Sequence, residues 1–141
     1  MKVQSARFGL MDISETDIIS FQKGILGFPE SKKYVWVHNI EPDLPIECLQ
    51  STSDEHISFM MVDPFLFALE YEIDLSEDTK ELLGIVREEQ VLVRVILTSR
   101  PDNHTTINLK APLIMNMDNN QAAQVILDGP QYQLQYPIGR G

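Results

Sequence analysis

The chain has 141 residues, 43% of them apolar and 23% charged, which suits one domain over residues 1–141 with its own core and rules out global disorder. Eleven basic residues against 21 acidic ones leave a net charge of −10. That charge repels phosphate backbones and anionic lipid surfaces, so neither direct nucleic-acid binding nor membrane binding is expected, while basic protein partners are favoured.

Strand signals dominate in chain order. Lys2 to Phe8 and Leu10 to Ile13 alternate around Gly9 and predict a hairpin. Asp17 to Phe21, Lys33 to His38, Ile46 to Gln50 and Ile57 to Val62 follow as short strands. Pro29 is read as leading into a single helical turn over Glu30 to Lys33. A helix is expected after Ser76: Ser76 suits the N-cap, Glu77 and Asp78 suit the positive end of the helix dipole, and Gly84 suits the position beyond the C-terminus. Val91 to Leu97 is apolar on both faces apart from Arg94, as in a central strand covered on both sides. Arg94 then needs a carboxylate partner, and Asp63 is one candidate. His104 to Asn108, Pro112 to Asn116, Ala123 to Leu127 and Gln131 to Tyr136 complete the strands. The fold class is therefore mainly β: a small antiparallel β-barrel-like domain with one or two short helices, with a sandwich as the alternative.

Motifs for catalysis are sparse. His38, His56 and His104 are not spaced as a helical metal pair, and one cysteine cannot build a thiolate zinc site. Cys48 sits in an apolar strand setting, where cysteine acts as a small filler. No nucleophile elbow occurs, and Gly24-Ile25-Leu26-Gly27 lacks the lysine and length of a phosphate loop. The expectation is no enzyme, no metal and no cofactor. The chain has no long apolar run, no N-terminal signal-peptide pattern and no cysteine pair, so a cytoplasmic setting is expected.

The charge is uneven. Between residues 70 and 89 eight acidic residues face only Lys80 and Arg87, a net −6 of the chain's −10, whereas residues 110–141 are balanced. Just upstream, Phe65-Leu66-Phe67 places three large apolar residues in a row, and a strand of period two cannot turn all of them inward. An exposed aromatic beside an acidic strip would make an interface anchor.

Several strings, in order, resemble the FliW family of bacterial flagellar assembly factors. They are Phe21-Gln22-Lys23-Gly24-Ile25-Leu26-Gly27-Phe28, Leu49-Gln50-Ser51, Val62-Asp63-Pro64-Phe65, Leu75-Ser76-Glu77-Asp78, Asn108-Leu109-Lys110-Ala111-Pro112-Leu113-Ile114 and Gln124-Val125-Ile126-Leu127. Cys48 departs from the large aromatic that members often carry before Leu-Gln. The resemblance implies a small, non-enzymatic barrel protein, expected as a monomer in the cytoplasm. It would bind the C-terminal helical region of flagellin, and would also bind CsrA, a dimeric RNA-binding regulator of translation, by partner switching. Flagellin would occupy the factor when abundant; export would release the factor to take CsrA off flagellin mRNA.

Charge and resemblance together nominate Glu70, Glu72, Asp74, Glu77 and Asp78 as a CsrA-facing strip. Phe65 and Phe67, with Asn108, Lys110 and Pro112 from the segment Asn108 to Pro112, are nominated as apolar and backbone contacts for flagellin.

Overall fold

The N-terminal hairpin forms about Gly9, whose φ of 76° suits a residue without Cβ: β1 (Lys2–Ser5) pairs antiparallel with β2 (Gly9–Asp12). The structure is a computed structural model describing residues 1–38, 40–102 and 104–140, the side chains of residues 139 and 140 excepted. The remaining strands are β3 (Ile18–Phe21), β4 (Lys33–Val37), β5 (Glu47–Ser51), β6 (Ser58–Val62), β7 (Val91–Ser99), β8 (His104–Ile107), β9 (Leu113–Asn116), β10 (Gln121–Gln124) and β11 (Tyr136–Arg140).

Seven of them close on themselves. The order runs β7-β6-β5-β4-β3-β10-β9, and β9 pairs back onto β7. Closure depends on the length of β7. Its first half, Val91 to Arg94, pairs with β9, and Val95 and Ile96 pair with β6. Its last residues, Leu97 to Ser99, pair with β8, which carries β11 as an edge strand. Closing the ring removes the exposed edges that an open sheet would present. β3 and β10 pair parallel, a departure from the antiparallel barrel that the sequence predicts.

Alternation along the strands divides the interior into two cores. Phe21, Tyr34, Trp36, Leu49, Met61, Leu113 and Met115 fill the barrel. Val62, Val95, Ile107, Leu109, Tyr71 and Leu127 pack outside its wall, under β8 and the segment after β6. Met61 and Val62 are adjacent in sequence and serve opposite cores, as the period of two requires. Each fully buried side chain such as Leu49 contributes about 1.5–3 kcal/mol.

Helix α1 (Glu77–Leu83) has the predicted caps: the Ser76 hydroxyl accepts from the Thr79 amide, and Gly84 adopts the left-handed conformation at φ 68°. Two expectations are corrected. Residues Glu30 to Lys33 form no helical turn; a turn at Pro29–Glu30 leads directly into β4, because Gly24 (φ 68°) folds the chain so tightly that a Cβ there would lie 2.6 Å from the Phe28 carbonyl oxygen. The last strand begins, rather than ends, at Tyr136: residues 131–135 are mostly turns after Gly129-Pro130, and β11 tolerates Pro137 because it is an edge.

Arg94 is also corrected. It pairs with Glu47, at 2.6 Å between Nε and Oε1, not with Asp63. Register sets this partner. Arg94 on β7, Glu47 on β5 and Trp36 on β4 share the barrel-lining side, with Arg94 reaching across β6, and the guanidinium lies 5.5 Å from the centre of the Trp36 ring. Asp63 instead caps the turn that follows β6.

Candidate partner-binding site

The Phe65-Leu66-Phe67 run does not continue β6. Asp63 accepts a hydrogen bond from the Phe65 amide at 2.9 Å and Pro64 occupies the first helical position, so residues Pro64–Leu66 form one tight 3-10 turn. That turn divides the three side chains. Phe67 packs inward on the outer core, while Phe65 and Leu66 remain 41% and 58% exposed.

Phe65 lines a groove of about 410 Å³. Ile73, Leu75, Ile85, Val91 and Val93 supply apolar walls, and Asp74, Lys80, Arg87 and Glu88 add charges. The far side of the groove is held firmly. Asn116 and Asn119 at the β9–β10 turn donate to the Leu83 carbonyl at 2.7 and 3.0 Å, satisfying an orphan carbonyl at the helix end. Gln90 accepts from the amides of Val86 and Arg87 and donates to Asp118. Val86, 79% exposed, is thereby presented at the groove on a fixed loop.

A second cavity of about 600 Å³ lies across Tyr71, lined by Leu69, Glu70, Glu72, Tyr132 and Tyr136 among others. The Phe65 and Tyr71 rings stand 5.7 Å apart, so the two hollows share a wall. Burial pushes the Tyr71 phenol well above its ordinary value, and neighbouring Tyr132 adds to the shift.

The acidic strip follows this wall. Glu70 and Glu72 lie in the second cavity, Asp74 on the groove, and Glu77 and Asp78 in the first turn of α1. Among the described residues only Glu77, with Lys80 at 3.4 Å, and Glu89, with Arg87 at 3.9 Å, are paired in this stretch. Such exposed pairs are worth little. The other six carboxylates between residues 70 and 89 make no ion pair among those residues, so the field stays negative.

The Asn108 to Pro112 segment is held by internal hydrogen bonds. Asn108 accepts from the amides of Lys110 and Ala111, and Lys110 Nζ donates to the Leu127 carbonyl at 3.0 Å. Pro112 is buried, and its carbonyl accepts from Val125. These groups spend their polar capacity inside the molecule and hold Leu109 against the second cavity. What the sequence missed is the contribution of Tyr132 and Tyr136. Read as part of a strand, Tyr132 had no reason to meet residues 70–72; the turn after Gly129 takes it there, where its hydroxyl donates to the Glu72 carbonyl at 2.6 Å.

Cys48 is fully buried, and burial pushes its thiol up. Among the described residues no group of three or more His, Cys, Asp or Glu side chains is placed to hold a metal ion. No described helix is long and apolar enough to cross a membrane.

The closed barrel bears an apolar groove beside carboxylates that mostly make no ion pair among the described residues. The chain belongs to the FliW family: it matches the family described as FliW protein over residues 2–138. It is 41% identical over 140 residues to the flagellar assembly factor FliW of Bacillus subtilis (strain 168), covering 99% of this chain and 97% of that one. It is 39% identical over 139 residues to the flagellar assembly factor FliW of Syntrophus aciditrophicus (strain SB), covering 98% of this chain and 87% of that protein. A crystal structure of the flagellar assembly factor FliW superposes with a TM-score of 0.89 at 36% identity, covering 99% of this chain and 97% of the other. These names describe a part in flagellar assembly and no catalysed reaction.

Proposed function

We propose that this chain acts in flagellar assembly as a cytoplasmic, non-enzymatic factor that binds flagellin and CsrA in alternation. One observation carries the reading: the half-exposed Phe65 opens an apolar groove directly beside a strip of carboxylates of which only Glu77 is ion-paired among the described residues. A flagellin terminal helix carries an apolar stripe that is covered only in the filament, and a rigid groove suits it. An RNA-binding regulator carries basic surface, and the strip is its electrostatic complement. Because groove and strip share Asp74 and the Phe65–Tyr71 wall, occupation of one side disfavours the other. The coupling is reciprocal: whatever flagellin does to CsrA affinity, CsrA does to flagellin affinity.

The test is capture on the immobilised chain from cytoplasm of a flagellate strain blocked in flagellin export. Flagellin is expected on the chain, and CsrA is expected in its place when flagellin is deleted. Recovery of neither overturns the reading.

A further inference from the structure

The second cavity has a chemistry of its own. Its charged lining groups are Glu70 and Glu72, both negative and both outside any ion pair among the described residues. The rest of the wall is aromatic and apolar except for the Gln131 amide. Tyr71 and Tyr132 meet edge to face at 5.9 Å and 82°. Both hydroxyls are donated inward, Tyr71 to the Leu109 carbonyl at 2.7 Å and Tyr132 to the Glu72 carbonyl at 2.6 Å. These bonds fix the rings and use their donor capacity within the wall. Leu69, 88% exposed at the tip of the Ala68–Tyr71 turn, adds an apolar shoulder at the mouth.

We infer that this cavity is a binding pocket for an arginine side chain presented by a basic partner protein. Aromatic walls with two unpaired carboxylates suit a cation that also stacks. Guanidinium fits better than ammonium, being planar, weakly hydrated and able to donate along a fork to carboxylates, while its methylene stem lies on apolar surface such as Leu69. An anionic or neutral ligand would leave Glu70 and Glu72 uncompensated. The pocket adjoins the strip assigned to CsrA and rests on that reading for the identity of the partner.

The experiment is an amide-resolved NMR titration of the full chain with N-acetyl-arginine amide, N-acetyl-lysine amide and the neutral isostere N-acetyl-citrulline amide. Saturable shifts confined to residues 68–72 and 131–136 are expected with arginine, binding about tenfold weaker with lysine, and none with citrulline. Tyr132→Phe keeps the ring and should keep the response; Tyr132→Leu loses the same hydroxyl bond and should lose the response as well. Should Tyr132→Leu fail to fold, the exposed double substitution Glu70→Gln and Glu72→Gln is expected to weaken arginine binding about tenfold. Equal shifts with citrulline or with lysine overturn the assignment, as does full arginine binding in a folded Tyr132→Leu or in the double variant. A chain that captures CsrA yet ignores arginine sinks the pocket alone. A chain that answers to arginine yet captures neither flagellin nor CsrA sinks the partner assignment alone.

Discussion

Phe65 and Tyr71 stand ring against ring, 5.7 Å between centroids, and face different hollows of one surface. Phe65 is the exposed member and Tyr71 the buried one, at 41% and 8%. Their truncations should therefore separate binding from stability. Phe65→Ala removes a half-exposed ring, so it should cost the fold only about 1 kcal/mol while weakening flagellin binding about tenfold or more. Tyr71→Phe keeps the ring but leaves the Leu109 carbonyl without its donor, and should cost about 1–2 kcal/mol of stability with little change in flagellin affinity. Calorimetric titration with flagellin, paired with chemical denaturation, reads both. Unchanged flagellin affinity in folded Phe65→Ala would remove the groove from the binding surface.

The acidic strip makes a kinetic prediction. Complementary charge acts mainly on the rate of encounter, and it is screened within about 8–10 Å at physiological salt. Replacing Glu70, Asp74 and Glu77 together by lysine should slow association with CsrA by an order of magnitude at low salt and flatten its dependence on ionic strength. Dissociation should change less. The fold should tolerate the change, because all three residues are exposed and the one ion pair among them, Glu77 with Lys80, is a surface pair. Stopped-flow association across a salt series is the measurement; rates and slopes matching the parent chain would show that the strip does not face CsrA.

Local features were legible and long-range ones were not. Ser76 and Gly84 marked both ends of α1 because caps are chosen by the backbone within a turn. The Phe65-Leu66-Phe67 run announced that at least one of the three would leave the core, because a period of two cannot bury three neighbours, but not which one. The partner of Arg94 was not readable, since it depends on which strands adjoin and in what register; Asp63, with the right charge, was already engaged by the Phe65 amide. The parallel pairing of β3 with β10 and the closure of β9 on β7 are likewise set by topology. The tyrosine-lined cavity joins residues about 60 positions apart, Tyr132 and Glu72, and no local pattern records that contact. The internal partners of the Asn108 to Pro112 segment were equally unreadable: its backbone pairs with Ile96, Val125 and Leu127, contacts fixed by the fold and not by local sequence.

The Arg94–Glu47 pair supplies a stability test. Their side chains are only 15% and 19% exposed, and Glu47 also meets His38 Nδ1 at 3.1 Å through its other oxygen. His38 in turn stacks on Trp36 at 4.8 Å. Removing the carboxylate leaves a largely buried guanidinium beside the indole, so Glu47→Leu should lose about 3 kcal/mol. Removing both partners as Arg94→Leu with Glu47→Leu should recover much of that loss, because no uncompensated charge remains. Urea midpoints of the two single variants and the double variant give the coupling. A double variant as unstable as the sum of the singles would mean that the pair does not act as a unit.

Alkaline pH should unfold the chain through its buried phenols. Tyr71 and Tyr34 are both held above the ordinary phenol value, chiefly by burial; Tyr132 adds to the shift at Tyr71, while the Ser31 side chain partly offsets it at Tyr34. A raised value means that the folded state keeps its protons where the unfolded chain, near pH 10, gives them up. Below about pH 10 both states are protonated at these sites and their contribution is complete. Above it the unfolded state gains by ionising and stability falls progressively as pH climbs toward the folded values. Urea midpoints should accordingly be level through neutral pH and decline above about pH 10, with Tyr71→Phe showing a shallower decline. Tyrosinate absorbance from Tyr71 and Tyr34 should rise together with the loss of β-sheet signal. Absorbance from these two residues in a chain that keeps its fold would show that the outer core admits water at Tyr71, and that the wall shared with Phe65 is open.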